Sequence, residues 1–189
     1  QCVPMALRGA FQSCGQNCAG AERFYVHEKV YDEFVSRVVQ TAKQLRQGHA
    51  LKNPLVTDCG AMCMPGQAAY VHGLVADAVA KGAKVLRGGE LPDPAAAGGQ
   101  FYPPTVLVNV DHSMRIMREE VFGPVLAIVK FDTDDEAVAL ANDCAFGLGS
   151  NVFGSKRRAR AVGNRLDAGM TTVNDFCATY MAQSLPFLS

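Results

Sequence analysis

An α/β fold, in which a mostly parallel sheet is flanked by helices, is what this 189-residue sequence predicts, and three observations carry the prediction. Two long segments repeat apolar residues at helical spacing. Short runs rich in β-branched and aromatic residues alternate with helical segments through most of the chain. Glycines, capping residues and a Pro/Ala/Gly loop mark the joins, and no internal repeat or long linker interrupts them.

In chain order, the first strand is residues 23–27, and it follows a segment of small residues and glycines at 11–20. Residues 31–46 form a helix that places Phe34, Val35, Val38, Val39, Ala42 and Leu45 on one stripe, with Gly48 as its stop. A second helix over 67–81 repeats the pattern with Val71, Leu74, Val75, Ala78 and Val79 and closes at Gly82. Residues 83–87 then read as a strand ended by Gly88-Gly89, and helix followed directly by strand suggests a crossover unit. The segment 91–99 is a loop, and 106–110, 125–131, 150–153 and 170–174 are further strands. Thr133-Asp134-Asp135-Glu136 is a capping box that opens a helix through Ala137, Leu140 and Ala141. Ser155 caps another, carrying Ala159, Val162 and Leu166 and closed by Gly169.

With 49% hydrophobic residues the chain can bury a real core, and its length favours one domain. Eighteen basic and eighteen acidic side chains cancel, and no basic run exceeds Lys156-Arg157-Arg158, so no field gathers a polyanion and nucleic acid is not an expected partner. No apolar run approaches the roughly 20 residues that a membrane-spanning helix needs. Seven cysteines, an odd number with no tight framework, favour a reducing intracellular compartment. Gln1 opens in what reads as mid-helix sequence and Ser189 follows an apolar run, so both ends read as cuts.

Three stretches can carry chemistry. In Phe11-Gln12-Ser13-Cys14-Gly15-Gln16-Asn17-Cys18-Ala19-Gly20, Cys18 can sit on a tight turn with backbone amides pointing past its sulfur. A thiolate attacks a carbonyl only if its own charge is stabilised and the oxygen of the tetrahedral species meets donors. The competing reading is a buried structural cysteine. In Arg118-Glu119-Glu120-Val121-Phe122-Gly123-Pro124, a turn can hold a carboxylate and a ring at the rim of a cleft, against the plainer reading of a solvated charge pair and a core ring. Asn174 and Asp175 stand at the carboxyl end of a strand, where open α/β sheets bind ligands, although an asparagine there is more often a turn residue.

Other motifs fail on inspection. His27-Glu28-Lys29-Val30-Tyr31 lacks the second histidine of the zinc-protease helix. The C-x3-C pairs Cys14/Cys18 and Cys59/Cys63 could in principle make a four-sulfur zinc site, but Met62 and Met64 crowd the second pair, and no metal is expected. Gly147-Leu148-Gly149 leads into a strand, with Val152 where a third glycine belongs, and is no pyrophosphate loop.

Gly15-Gln16-Asn17-Cys18 with Arg23 and Val26, followed by Glu120-Val121-Phe122-Gly123-Pro124-Val125, resembles the two best-known signatures of the aldehyde dehydrogenase superfamily in order and separation. Phe101-Tyr102-Pro103-Pro104-Thr105-Val106, Ala141-Asn142, Phe146 to Gly149, Val152-Phe153 and Ala168-Gly169 through Val173-Asn174 extend the resemblance, and Pro186-Phe187 looks like the start of a further family motif. Asn174-Asp175-Phe176 with the run from Tyr180 to Phe187 is nearest to a plant and algal branch.

The resemblance implies NAD(P)-dependent oxidation of an aldehyde to a carboxylic acid, through a cysteine thiohemiacetal and then a thioester. It implies Cys18 as the nucleophile, with its backbone amide in the oxyanion site. It implies that Glu120 holds the hydroxyls of the nicotinamide ribose, that Phe122 packs near the nicotinamide of NAD or NADP, and that Phe187 lines the aldehyde tunnel. Residues 1–187 then correspond to the family's catalytic domain, while the cofactor domain, the general-base glutamate and an oxyanion asparagine precede the catalytic cysteine in the family, and an oligomerisation segment follows. Leu188-Ser189 departs from the glycine pair the family places there. A homo-oligomer is expected of the full-length protein. A truncated non-catalytic relative serving as a structural or binding component, and a cofactor-free thiol esterase, are the alternatives.

Overall fold

The computed structural model describes residues 2–49, 51–52 and 55–176. Its main sheet has the order β1-β4-β3-β2, formed by β1 (Arg23–His27), β2 (Lys84–Arg87), β3 (Thr105–Val108) and β4 (Val125–Phe131). β4 runs parallel to both β1 and β3, and β2 closes the edge antiparallel to β3. A second, two-stranded parallel sheet pairs β5 (Gly149–Val152) with β6 (Met170–Val173). Parallel pairing therefore dominates, as the alternation of elements predicts.

The two central strands are buried on both faces, which is why they read as unbroken apolar runs. Their side chains divide by period two. Leu107, Val125, Ala127 and Val129 face one core cluster, which also holds Val71, Leu74, Val75 and Ala78 of α3 (Gln67–Ala80). Val106, Val108, Leu126 and Ile128 face the other, filled by Val3, Leu7 and Ala10 of α1 (Cys2–Phe11) and by Val38 and Ala42 of α2 (Glu28–Ala42). The short α4 (Pro94–Ala97) lies in the expected loop.

Helix limits shift where caps decide them. α2 begins three residues earlier than periodicity suggests, because Nδ1 of His27 accepts the Lys29 amide at 3.2 Å and Glu28 occupies the first turn. It ends at Ala42, although Leu45 beyond it still packs on the core. α5 (Asp134–Asn142) is capped by Thr133, whose Oγ1 accepts the Glu136 amide at 3.2 Å. The Glu136 carboxylate reaches back to the amide of Asp132 at 2.8 Å, one residue beyond the expected box. α6 (Lys156–Gly163) starts after Ser155, which supplies no side-chain cap, and stops at Gly163 instead of Gly169. β3 stops at Val108 because Asn109 turns left-handed at φ 57°. The α3–β2 run, read as a crossover unit, delivers the antiparallel edge strand, bulged between Val85 and Arg87.

Burial within one helix sets a direct test. Leu74 is fully buried whereas Val79, on the same helix, is 45% exposed. Leu74→Ala is expected to cost about 2–5 kcal/mol in denaturant unfolding, and Val79→Ala to stay within about 0.5 kcal/mol. Equal costs at the two positions would show that α3 does not face the sheet as described.

Candidate active site

Cys18 stands on a loop that leads into β1, and Glu120 on a turn that leads into β4. Because β1 and β4 are parallel neighbours, with Arg23 opposite Ala127, their amino ends start side by side. The sheet thus brings together two motifs that lie far apart in the sequence.

The loop is shaped by its backbone. After Phe11 the chain enters a 3-10 turn over Gln12–Gly15, in which Ser13, Cys14 and Gly15 take φ of 53°, 58° and 69°. Left-handed backbone of this kind costs an L residue about 1–2 kcal/mol, so the run is held by its surroundings. At Gly15 only glycine fits, since a Cβ there would lie 2.1 Å from the carbonyl oxygen of Gly123. The next turn is closed by the Gly20 amide on the Asn17 carbonyl at 2.8 Å and by the Ala19 amide on Oδ1 of Asn17 at 3.1 Å. Ala21 is tied to the carbonyl of Gly9 at 3.0 Å. Cys18 is exposed on this turn with a free thiol, so it is not the buried structural cysteine of the competing reading.

The Glu120 turn is held by three side chains from two other segments, the residue before β1 and the first turn of α3. The Glu22 carboxylate accepts the Val121 amide at 3.1 Å on either oxygen and the Phe122 amide at 2.9 Å. Nε2 of Gln67 donates to the carbonyls of Val121 and Phe122 at 3.2 and 3.3 Å. The Tyr70 hydroxyl donates to the carbonyl of Glu120 at 3.2 Å and to the Glu119 carboxylate at 3.0 Å. Phe122 is thereby kept at φ 44° with its ring half-buried. Arg118 fixes the approach to the turn through a bidentate pair with Asp143, at 2.9 and 2.7 Å.

These contacts separate the two adjacent carboxylates. Glu119 is bound by Arg115 at 2.6 and 3.0 Å, and the guanidinium holds its carboxyl below the ordinary value. Glu120 is exposed at the rim, with its backbone carbonyl held by Tyr70. Burial pushes the Glu22 carboxyl above its ordinary value, against the two amide bonds, which pull it down; the charge of Glu120 adds to the rise and Arg23 opposes it.

Cys18, Glu120 and Phe122 are therefore brought to one end of the sheet, while Phe187 lies outside the described residues. That end is the amino end of the strands, opposite to the rule that drew attention to Asn174. Asn174 is a turn residue: its amide group bonds the backbone N–H and carbonyl of Gly154 at 2.8 and 2.9 Å. Cys14 is buried and donates to the carbonyl of Gly60, next to Cys59, at 3.1 Å, and among the described residues no group of three or more His, Cys, Asp or Glu could hold a metal ion. Sequence reading missed Glu22, Gln67 and Tyr70, whose partners lie 49 to 100 residues away. No local pattern marks them, apart from an acid lodged between the small residues of the loop and the first strand.

Comparison with known proteins gives the family. The model of the aldehyde dehydrogenase family matches residues 1–188. An aldehyde dehydrogenase-like protein of Saccharomyces cerevisiae is 42% identical over 185 residues, covering 96% of this chain and 29% of that protein. The NADP-dependent succinate-semialdehyde dehydrogenase of Deinococcus radiodurans is 40% identical over 186 residues, covering 98% of this chain and 38% of its own length. The crystal structure of Staphylococcus aureus betaine aldehyde dehydrogenase in complex with NAD+ superposes with a TM-score of 0.85 at 35% identity, over 92% of this chain and 35% of that one. The chain thus spans roughly a third of these relatives' length. With both signature motifs meeting at one end of a sheet that the relatives share, the chain belongs to the aldehyde dehydrogenase family.

Proposed function

We propose that Cys18 is the nucleophile of an NAD(P)-dependent oxidation of an aldehyde to a carboxylic acid, and that residues 1–187 are the nucleophile-bearing domain of that enzyme. The observation that carries the proposal is the docking of the Cys18 loop on the Glu120 turn, through Gly15 against Gly123 and Glu22 against the amides of Val121 and Phe122. The relatives' greater length supports placing the rest of the cofactor site in sequence outside this domain.

The Cys18 thiolate adds to the carbonyl carbon, and the carbonyl electron pair moves to oxygen as the carbon–sulfur bond forms. The Cys18 amide, on the same turn as the sulfur, is the donor that this chain offers to the oxyanion. The residues present fit the nicotinamide end of the cofactor: the exposed Glu120 carboxylate can accept ribose hydroxyls, and the Phe122 ring offers an apolar face beside them. When bound, the cofactor supplies the hydride acceptor. The acyl group left on Cys18 is a thioester, and attack by water releases the acid and returns the thiolate.

The test is to incubate the purified chain with NAD or NADP and salicylaldehyde, succinate semialdehyde or betaine aldehyde, while an electrophile labels its thiols in a parallel sample. Selective labelling at Cys18 is expected, with Cys18→Ser losing it and lowering any cofactor reduction by on the order of 10³-fold or more. Labelling spread evenly over the exposed thiols, or reduction that survives Cys18→Ser, would sink the proposal.

Glu22 gives a pH-dependent expectation. Its folded-state carboxyl is raised above 4.5, so its favourable contribution is complete below the unfolded value and declines as pH rises through the folded one. The stability difference between wild type and Glu22→Gln should therefore fall on going from acid through that window and then level off. A difference that grows with pH would show that the amide bonds outweigh burial.

A further inference from the structure

The nucleophile loop also holds a thiol that the proposed chemistry does not use. Cys14 and Cys59 are 4% and 3% exposed, in the core cluster beneath α1 and α2. Each reaches the other's segment: Cys14 donates to the carbonyl of Gly60 at 3.1 Å, and Cys59 to the carbonyl of Phe11 at 3.8 Å. The neighbouring Cys59 thiol holds Cys14 below its ordinary value, and Cys14, together with burial, pushes Cys59 up. Of the two, Cys14 gives up its proton more readily, and the thiolate is the form that attacks an oxidant.

We propose that Cys14 and Cys59 form a dithiol site that takes a small hydroperoxide, closes as a disulfide and slows the reaction of Cys18. Cys14 sulfur attacks the peroxide oxygen, the O–O bond breaks, and the leaving hydroxide takes up a proton to depart as water, leaving a sulfenic acid. Cys59 sulfur attacks the Cys14 sulfur, the S–O bond breaks, and a second water leaves. Two thiols and one hydrogen peroxide give one disulfide and two waters, the thiols losing two electrons and two protons.

The link to Cys18 is the backbone between them. Cys14 is the middle residue of the left-handed run Ser13–Gly15, and the Gly15 end of that run has no spare room against Gly123. A covalent bond at Cys14 cannot be absorbed there without moving the turn that carries Cys18. This inference does not rest on aldehyde oxidation, and its cross-link is read independently of any turnover.

The experiment treats the reduced 189-residue chain with one or two equivalents of hydrogen peroxide. The sample is quenched with N-ethylmaleimide under denaturing conditions, and the peptides are mapped without reduction. A Cys14–Cys59 cross-link is expected in wild type and in Cys18→Ser. The iodoacetamide rate at Cys18 in wild type should drop at least fivefold, recover with dithiothreitol, and be insensitive to peroxide in Cys59→Ser. Recovery of Cys14 and Cys59 as N-ethylmaleimide adducts while Cys18 and Cys63 are oxidised would overturn the proposal. A cross-link that leaves the Cys18 rate unchanged would overturn the coupling. Should Cys59→Ser not fold, the wild-type peptide map decides alone.

Discussion

Everything at the candidate site depends on one close approach, the backbone of Gly15 against the carbonyl of Gly123. A side chain at either position has no room: a Cβ on Gly15 would meet the Gly123 carbonyl at 2.1 Å, and one on Gly123 would meet Val71 of α3 at 2.5 Å. The second glycine is thus wedged between the Cys18 loop and the helix that packs on the sheet. Moving α3 would move the turn, and moving the turn would release the loop. The site is built on packed core elements, which hold geometry more tightly than a free loop does.

The sheet makes that approach possible. Parallel neighbours bring the entries of β1 and β4 to the same edge, and each entry carries one of the motifs. Two glycines then let the chains touch, and Glu22 satisfies the amides that the left-handed turn at Phe122 leaves without partners in the sheet. A carboxylate suits this task, because it accepts from two amides at once with charge-assisted bonds. Burial works against the same charge, which is why its pKa rises even though both amides favour the ionised form.

Much of the fold was legible in the sequence because its signals are local. The Val125–Phe131 strand is rich in β-branched and aromatic residues and read as a strand for that reason, and of the helical stripe Val71, Leu74, Val75, Ala78 and Val79 the first four are buried while Val79 is exposed. Helix ends were less legible, since the imidazole of His27 and the left-handed Asn109 act through single hydrogen bonds or dihedrals that periodicity does not register. The identities of Cys18, Glu120 and Phe122 came from motif resemblance, and the contact between the motifs could be known only from the sheet order. Glu22, Gln67 and Tyr70 could not be read at all: each acts on a turn distant in sequence, and a glutamate or glutamine gives no sign of which backbone it will hold. The partnership of Cys14 with Cys59, which the spacing to Cys18 and Cys63 obscured, is non-local in the same way.

The distribution of backbone strain follows from the same geometry. Five non-glycine residues among those described have positive φ, and three of them, Ser13, Cys14 and Phe122, flank the contact between the motifs. At about 1–3 kcal/mol each, such conformations persist only where the surroundings over-determine them. Here α1 and the buried Cys14 anchor one side, while Glu22, Gln67 and Tyr70 clamp the other. The exposed groups, the Cys18 thiol and the Glu120 carboxylate, make few of these bonds themselves and are presented by neighbours that make many. The bonds that fix these two residues therefore fall to the backbone and to adjacent side chains, which leaves their own polar atoms at the surface.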